Sequence, residues 1–140
     1  MFLSLKNDIR EVPLLETFVR DACAVVSMDR ATTSNVGLAV EEAVVNVMRY
    51  AYPKGTKGEI RINANASDDK LTFEISDRGK PFDPTAAKKP DITLSAKQRP
   101  IGGLGIFLMR QFMDNINYKR ENGCNVLSMT KDISSLPTIK

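Results

Sequence analysis

Three groups of residues in this 140-residue chain could do chemistry, and they differ in kind. Glu42 and Asn46 stand four apart, a spacing that puts a carboxylate and an amide one turn from each other on the same helical face. The carboxylate can accept a proton, and the amide oxygen can ligate a hard cation. Asp77-Arg78-Gly79 closes a run of alternating apolar residues, and an ionised aspartate is purely a hydrogen-bond acceptor, suited to an amine. Gly102-Gly103-Leu104-Gly105 opens an apolar segment, where glycines leave backbone N–H groups bare for an anion. Taken singly, each also has an ordinary reading: a solvated helix face, a turn and the end of a loop.

The elements that must position these residues follow from periodicity. Phe2 to Lys6 alternate as a short strand, and Asn7-Asp8 can cap a helix opening near Pro13. That helix runs from about Glu11 to Met28, with Val12, Leu15, Phe18, Val19, Ala22, Val25 and Val26 as its buried face. Thr32, Thr33 and Ser34 offer N-caps for a second helix reaching about Ala51 before Pro53 and Gly55. On it Val36, Val40, Ala43, Val44, Val47 and Ala51 form an apolar stripe, while Glu42, Asn46 and Arg49 gather on another side. Glu41 lies roughly 100° round the helix from Glu42 and fits that side less well.

Two strands, Glu59 to Ala66 and Lys70 to Asp77, flank a Ser67-Asp68-Asp69 hairpin turn. Their period of two puts Asp77 on the inward side with Leu71, Phe73 and Ile75, where an acid needs a partner. Asp83 to Ile101 shows neither period and carries Pro84, Pro90 and Pro100, as a functional loop or lid does. A helix from Ile106 to about Met113, a strand from Ile116 to Arg120, an Asn122-Gly123 turn and a strand from Cys124 to Thr130 complete the order. The order predicts an α+β fold, a two-layer sandwich of helices on a mixed, mostly antiparallel sheet. It forms one domain over residues 1–133 with a lid at about 83–101 and a polar tail at 134–140.

Composition bounds the function. Apolar residues make up 42% and charged residues 26%, as in ordinary globular domains. The +3 net charge comes from 20 basic and 17 acidic residues spread along the chain rather than gathered in a stripe, so no direct nucleic-acid role is expected. No apolar run approaches the roughly 18 residues that span a bilayer, and no basic-then-apolar leader opens the chain, so a cytoplasmic protein with no membrane role is expected. Cys23 and Cys124 read as packing residues of a reducing compartment. The absence of histidine removes Ser-His and Cys-His nucleophilic catalysis and any phosphohistidine relay within this chain.

The segments VGLAVEEAVVNVMRYAYP, FEISDRGKPFDP and GGLGIFLMRQFMD resemble, in order and spacing, the N, G1 and G2 boxes of the GHKL ATPases. Within these the chain resembles the bacterial anti-sigma-factor serine/threonine kinases over almost its whole length. The resemblance implies the Bergerat-type ATP-binding fold with ATP and Mg2+ as ligands. It assigns Asp77 to the adenine amine, Asn46 to magnesium, Glu42 to the role of base, and Gly79, Gly102, Gly103, Leu104 and Gly105 to the nucleotide. Of the lid cations Lys88, Lys89, Lys97 and Arg99, any could reach a phosphate. Many GHKL proteins have a second glycine two residues after Gly79, where this chain has Pro81 and then Phe82, and Arg78 adds a charge without an assigned role.

The resemblance further implies phosphorylation of a small anti-sigma-factor antagonist, binding of a sigma factor by partner switching, and a homodimer. An alternative is a nucleotide-dependent binding module with little or no transfer. A third reading, the catalytic half of a two-component sensor, fits less well because the chain has no phosphoacceptor histidine and no dimerisation helix pair.

Overall fold

The structure, a computed structural model, describes residues 1–53, 55–86 and 103–134. Its elements in chain order are β1 (Phe2–Lys6), α1 (Val12–Val25), α2 (Arg30–Asn46), β2 (Glu59–Ser67), β3 (Lys70–Asp77), α3 (Gly103–Phe112), β4 (Asn115–Glu121) and β5 (Cys124–Asp132). The strands form one sheet in the order β1-β2-β3-β5-β4. All four pairings are antiparallel, so no strand makes the sheet mixed. The two tight hairpins, β2–β3 and β4–β5, supply half of those pairings directly.

Alternation along the strands decides which face is covered. Ile60, Ile62, Leu71, Phe73, Ile75 and Met129 are buried together with Leu15, Val19, Val36, Val40, Val44, Ile106 and Met109 of the three helices. Glu59, Arg61 and Asn63, pointing the other way, are exposed. The result is an α+β sandwich with helices on one face of the sheet and a polar second face. No helix among the described residues is long and apolar enough to cross a membrane.

Local details depart from the sequence reading at the element ends. Asp8 caps a short 3-10 turn, Ile9–Glu11, by accepting from Arg10 N–H, and α1 begins after it with Pro13 in its first turn. Val25 is exposed, because the helix is ending there: Ser27 adopts φ 56° and Met28 N–H returns to the Cys23 carbonyl. Cys23 takes the buried place, and burial pushes its thiol up to about 11, leaving it unreactive. Asp29, rather than Thr32, Thr33 or Ser34, caps α2: its carboxylate accepts from Thr32 N–H at 3.1 Å.

The α-helical geometry of α2 stops at Asn46, and Val47–Ala51 continue as a π-helical turn. Such turns are often found at functional sites. Asp68 and Asp69 both adopt left-handed backbone, φ 53° and 61°, which gives the β2–β3 hairpin its two-residue turn. The helix of the glycine segment starts at Gly103 rather than Ile106.

Candidate functional site

One turn of α2 serves both halves of the site. Glu42 and Asn46 face the start of α3: a Cβ on Gly105 would lie 2.8 Å from Glu42 Oε2 and 3.3 Å from Asn46 Nδ2. A side chain on Gly105 would therefore push the Glu42 carboxylate aside. Asn46 is 3% exposed, a buried amide on the side where the sequence indicated a polar group. Arg49 does not join them; it is exposed on the π turn. Glu41 points elsewhere, into the groove between α1 and α2 beside Glu16 and Arg20. Burial, followed by the charges of Glu16 and Glu42, pushes its carboxyl up.

The neighbouring Ala43 of α2 and Val47 at the start of the π turn line a small cavity with Ile75, Asp77, Phe82, Pro84, Tyr118, Asn125 and Leu127. Asp77, at the end of β3, is 3% exposed and keeps the inward position its strand period assigned. Its Oδ1 accepts from Gly79 N–H at 2.8 Å and from Asn125 Nδ2 at 2.9 Å. Burial pushes the Asp77 carboxyl up from its ordinary value, while the Asn125 amide, the Gly79 N–H and the Arg120 charge pull it back. The chain thus uses three donors or charges to keep a buried acid ionisable.

The loop after Asp77 is fixed on both sides. Ala51 ends the π turn with a carbonyl that no further helical turn can use, and Lys80 N–H takes it at 2.8 Å. Gly79 packs so closely there that a Cβ would fall on the Ala51 carbonyl group. Arg120 donates to the Gly79 carbonyl at 2.8 Å, and Tyr52 OH accepts from Arg78 N–H at 3.0 Å.

Asn125 completes the enclosure. Besides Asp77, its Nδ2 reaches the Lys80 carbonyl at 2.8 Å, and its Oδ1 accepts from Phe82 N–H and from Tyr118 OH. The sequence reading did not single out Asn125, Tyr118 or Arg120. The signal was present: Asn125, Leu127 and Met129 alternate inward, the same pattern that marked Asp77.

The cavity between these groups is about 10 Å³, room for about one water and far less than a purine needs. Phe82 forms part of its wall and stacks on Tyr50 with ring centroids 5.3 Å apart. The Pro81-Phe82 departure from the glycine pattern thus has a structural counterpart, an aromatic side chain in the wall of the Asp77 cavity. Arg110 of α3 donates to the Thr85 carbonyl at 2.8 Å, tying α3 to the 3-10 turn Pro84–Ala86 at the start of the anticipated lid. The rest of that lid, its cations Lys88, Lys89, Lys97 and Arg99, and Gly102 lie outside the described residues. Gly103 and Leu104 lie in the first turn of α3.

A buried acid beside a small cavity, and a second acid and an amide under a glycine-started helix, stand on one α+β domain whose class comparison with known proteins identifies. Residues 5–131 match the histidine kinase-like ATPase domain. The serine/threonine-protein kinase BtrW of Bordetella bronchiseptica is 29% identical over 135 residues, covering 91% of this chain and 95% of that protein. The serine-protein kinase RsbW of Listeria monocytogenes is 35% identical over 101 residues, 69% of this chain and 64% of its own length. The solved RsbU and RsbW domains of Rv1364c from Mycobacterium tuberculosis share the fold with a TM-score of 0.68 at 15% identity, covering 95% of this chain and 31% of that one. The chain belongs to the GHKL, histidine kinase-like ATPase family.

Proposed function

We propose that the chain is an ATP-dependent serine/threonine protein kinase that phosphorylates an anti-sigma-factor antagonist and silences a sigma factor by partner switching. The observation that carries this reading is the shared helical turn at the end of α2: Ala43 and Val47 wall the Asp77 pocket while Glu42 and Asn46 meet the α3 N-terminus. A nucleotide lying along that turn has its base at Asp77 and its terminal phosphate near Glu42. Residues 1–133 act as one nucleotide-binding domain, with the segment at about 83–101 as its lid.

Asp77 accepts from the exocyclic amine of adenine, with Oδ1 already bonded to Gly79 and Asn125. Gly79 leaves the backbone no side chain to obstruct the ring. The first-turn amides of Gly103, Leu104 and Gly105, with Gly102 before them, face the phosphates, where the ten-residue α3 presents its positive end. Glu42 takes the proton of the incoming serine or threonine hydroxyl as its oxygen bonds to the terminal phosphorus. The bond from that phosphorus to the bridging oxygen breaks, and ADP leaves with the electron pair.

Magnesium, when bound, offsets the charge developing on the phosphate oxygens. The Asn46 amide fits such an ion: it is buried beside Glu42 at the start of α3, and magnesium takes few protein ligands beside phosphate and water. The partners of this reading are the antagonist, the sigma factor and a second copy of the chain as homodimer, all cytoplasmic, without direct nucleic-acid contact.

The test is to incubate the protein with magnesium and labelled ATP, with each candidate antagonist from the same genome. Transfer to an antagonist that disappears in Glu42→Ala and Asn46→Ala supports the kinase. ATP binding without transfer points to a nucleotide-dependent binding regulator, and no ATP binding overturns the reading.

A further inference from the structure

A second, far roomier cleft lies on the polar face of the sheet. Its volume is about 650 Å³, within the range of ligand-binding clefts. Glu59 and Arg61 of β2, Ser76 of β3 and Cys124 of β5 form its floor, and Thr56 to Gly58 and Arg78 to Lys80 form its walls. These strand positions alternate with inward Ile60, Ile75 and Asn125, so the cleft opens on the side away from the helices.

The walls are preformed. Asn7 N–H donates to the Gly58 carbonyl at 2.9 Å, and Asn7 Nδ2 donates to the Thr56 carbonyl at 3.2 Å. Tyr52 packs so tightly on Gly58 that a Cβ there would meet its ring at 2.6 Å, while its hydroxyl bridges the Glu59 carbonyl and Arg78 N–H. A ligand entering this cleft therefore orders little of the backbone.

The charge here is concentrated in a way the linear sequence conceals. Lys57, Arg61, Arg78 and Lys80 converge on the cleft from two separate segments. Glu59 is engaged by Arg61 at 2.6 Å, and Asp77 turns its carboxylate to the other side of the turn. Among the described residues no carboxylate pairs with Lys57, Arg78 or Lys80, all three exposed. Arg78, without a role in the nucleotide site, here has one.

We propose that this cleft binds a carboxylate-rich peptide segment of a protein partner. The cations come from both walls and the floor of the cleft, an arrangement that suits several carboxylates spaced along a chain better than one phosphate. Thr56 and Ser76 add hydroxyls for the peptide backbone. Single-stranded nucleic acid would need an exposed stacking ring, and Tyr52, the aromatic residue lining the cleft, is 8% exposed with its hydroxyl engaged. Two copies facing each other here would bring like charges together.

The test uses the nucleotide-free full chain, so its outcome is independent of the ATP site. Fluorescence anisotropy follows binding of a labelled ten-residue peptide of alternating glutamate and serine. The expected result is saturable, salt-sensitive binding that weakens about tenfold or more in Arg78→Glu and in Lys57→Glu, each with unchanged Tm. Lys70→Glu, the same charge change at the opposite end of β3, is expected to alter binding less than about twofold. Four results would overturn the proposal: no saturable binding; equal weakening by Lys70→Glu, which would indicate net charge alone; displacement by inorganic tripolyphosphate at lower concentration than by unlabelled peptide; or loss of self-association in Arg78→Glu with no peptide binding.

Discussion

The two ends of the candidate site are held by different physics. At the base end, Asp77, Gly79, Lys80 and Phe82 are joined to Asn125, Ala51 and Arg120 by a closed set of hydrogen bonds. At the phosphate end, Glu42 and Asn46 meet α3 through the missing side chain of Gly105. A bonded network is rigid and costly to break, because each lost partner leaves a buried polar group unsatisfied. A contact made by the absence of a side chain leaves flexible groups free to move. The hydrogen-bonded frame around Asp77 is therefore rigid, although Phe82 must move to admit a base into a cavity of about 10 Å³, and the Glu42 end is where adjustment is cheap.

The same substitution at the two ends should separate them. Gly79→Ala puts a methyl on the Ala51 backbone, which cannot retreat, and should cost about 3 kcal/mol of stability and abolish ATP binding, measured by denaturant unfolding and titration calorimetry. Asn125→Leu follows, with about 2 kcal/mol lost as the Lys80 carbonyl, Phe82 N–H and Tyr118 hydroxyl lose their shared partner.

That variant also sharpens the electrostatics. Burial raises the Asp77 carboxyl, so the folded state gains stability as pH falls from that raised value towards the unfolded one. With Asp77 as the proposed acceptor, ATP binding is expected to be lost as pH falls through that raised value. Removing the Asn125 donor raises the carboxyl further, so the midpoint for loss of ATP binding on acidification should move to higher pH. An unmoved midpoint would show that Asn125 does not tune Asp77.

Tyr50→Phe should be smaller and of opposite sign. The Tyr50 hydroxyl is buried with no partner among the described residues, so removing it while keeping the stack on Phe82 should stabilise the protein by about 1 kcal/mol, read from the unfolding midpoint. The smallest stability effect belongs to Gly105→Ala, about 0.5 kcal/mol, because its methyl meets the far end of the Glu42 side chain, which can turn away. Transfer should nevertheless fall at least about tenfold as the carboxylate is displaced. A loss of stability matching that of Gly79→Ala would erase the contrast between the two ends.

Much of this contrast could be anticipated from local pattern, and the gaps have physical causes. Period two put Asp77 inward beside Phe73 and Ile75, and four-residue spacing put Glu42 and Asn46 together. Both inferences need only one element's geometry. The clasp on Asp77 needed a partner forty-eight positions away: Asn125 faces it across the β3–β5 register, which strand patterns alone do not reveal. Cys124, taken for a packing residue, lies half-buried on the sheet's other face because it is one position out of phase with Asn125. The π turn at Val47–Ala51 was hidden because its residues suit an α-helix; its place follows from the docking of Gly79 and Lys80 on Ala51.

The central claim is that Glu42 acts in transfer and Asp77 in binding. Glu42→Gln keeps the side chain's shape and removes its basicity, so ATP affinity and single-turnover phosphate transfer to the antagonist should be measured on the same preparation. ATP affinity is expected to stay within about twofold of the parent, and transfer to slow by about a hundredfold or more. Transfer at the parental rate with ATP bound would contradict that claim and remove Glu42 from the chemistry.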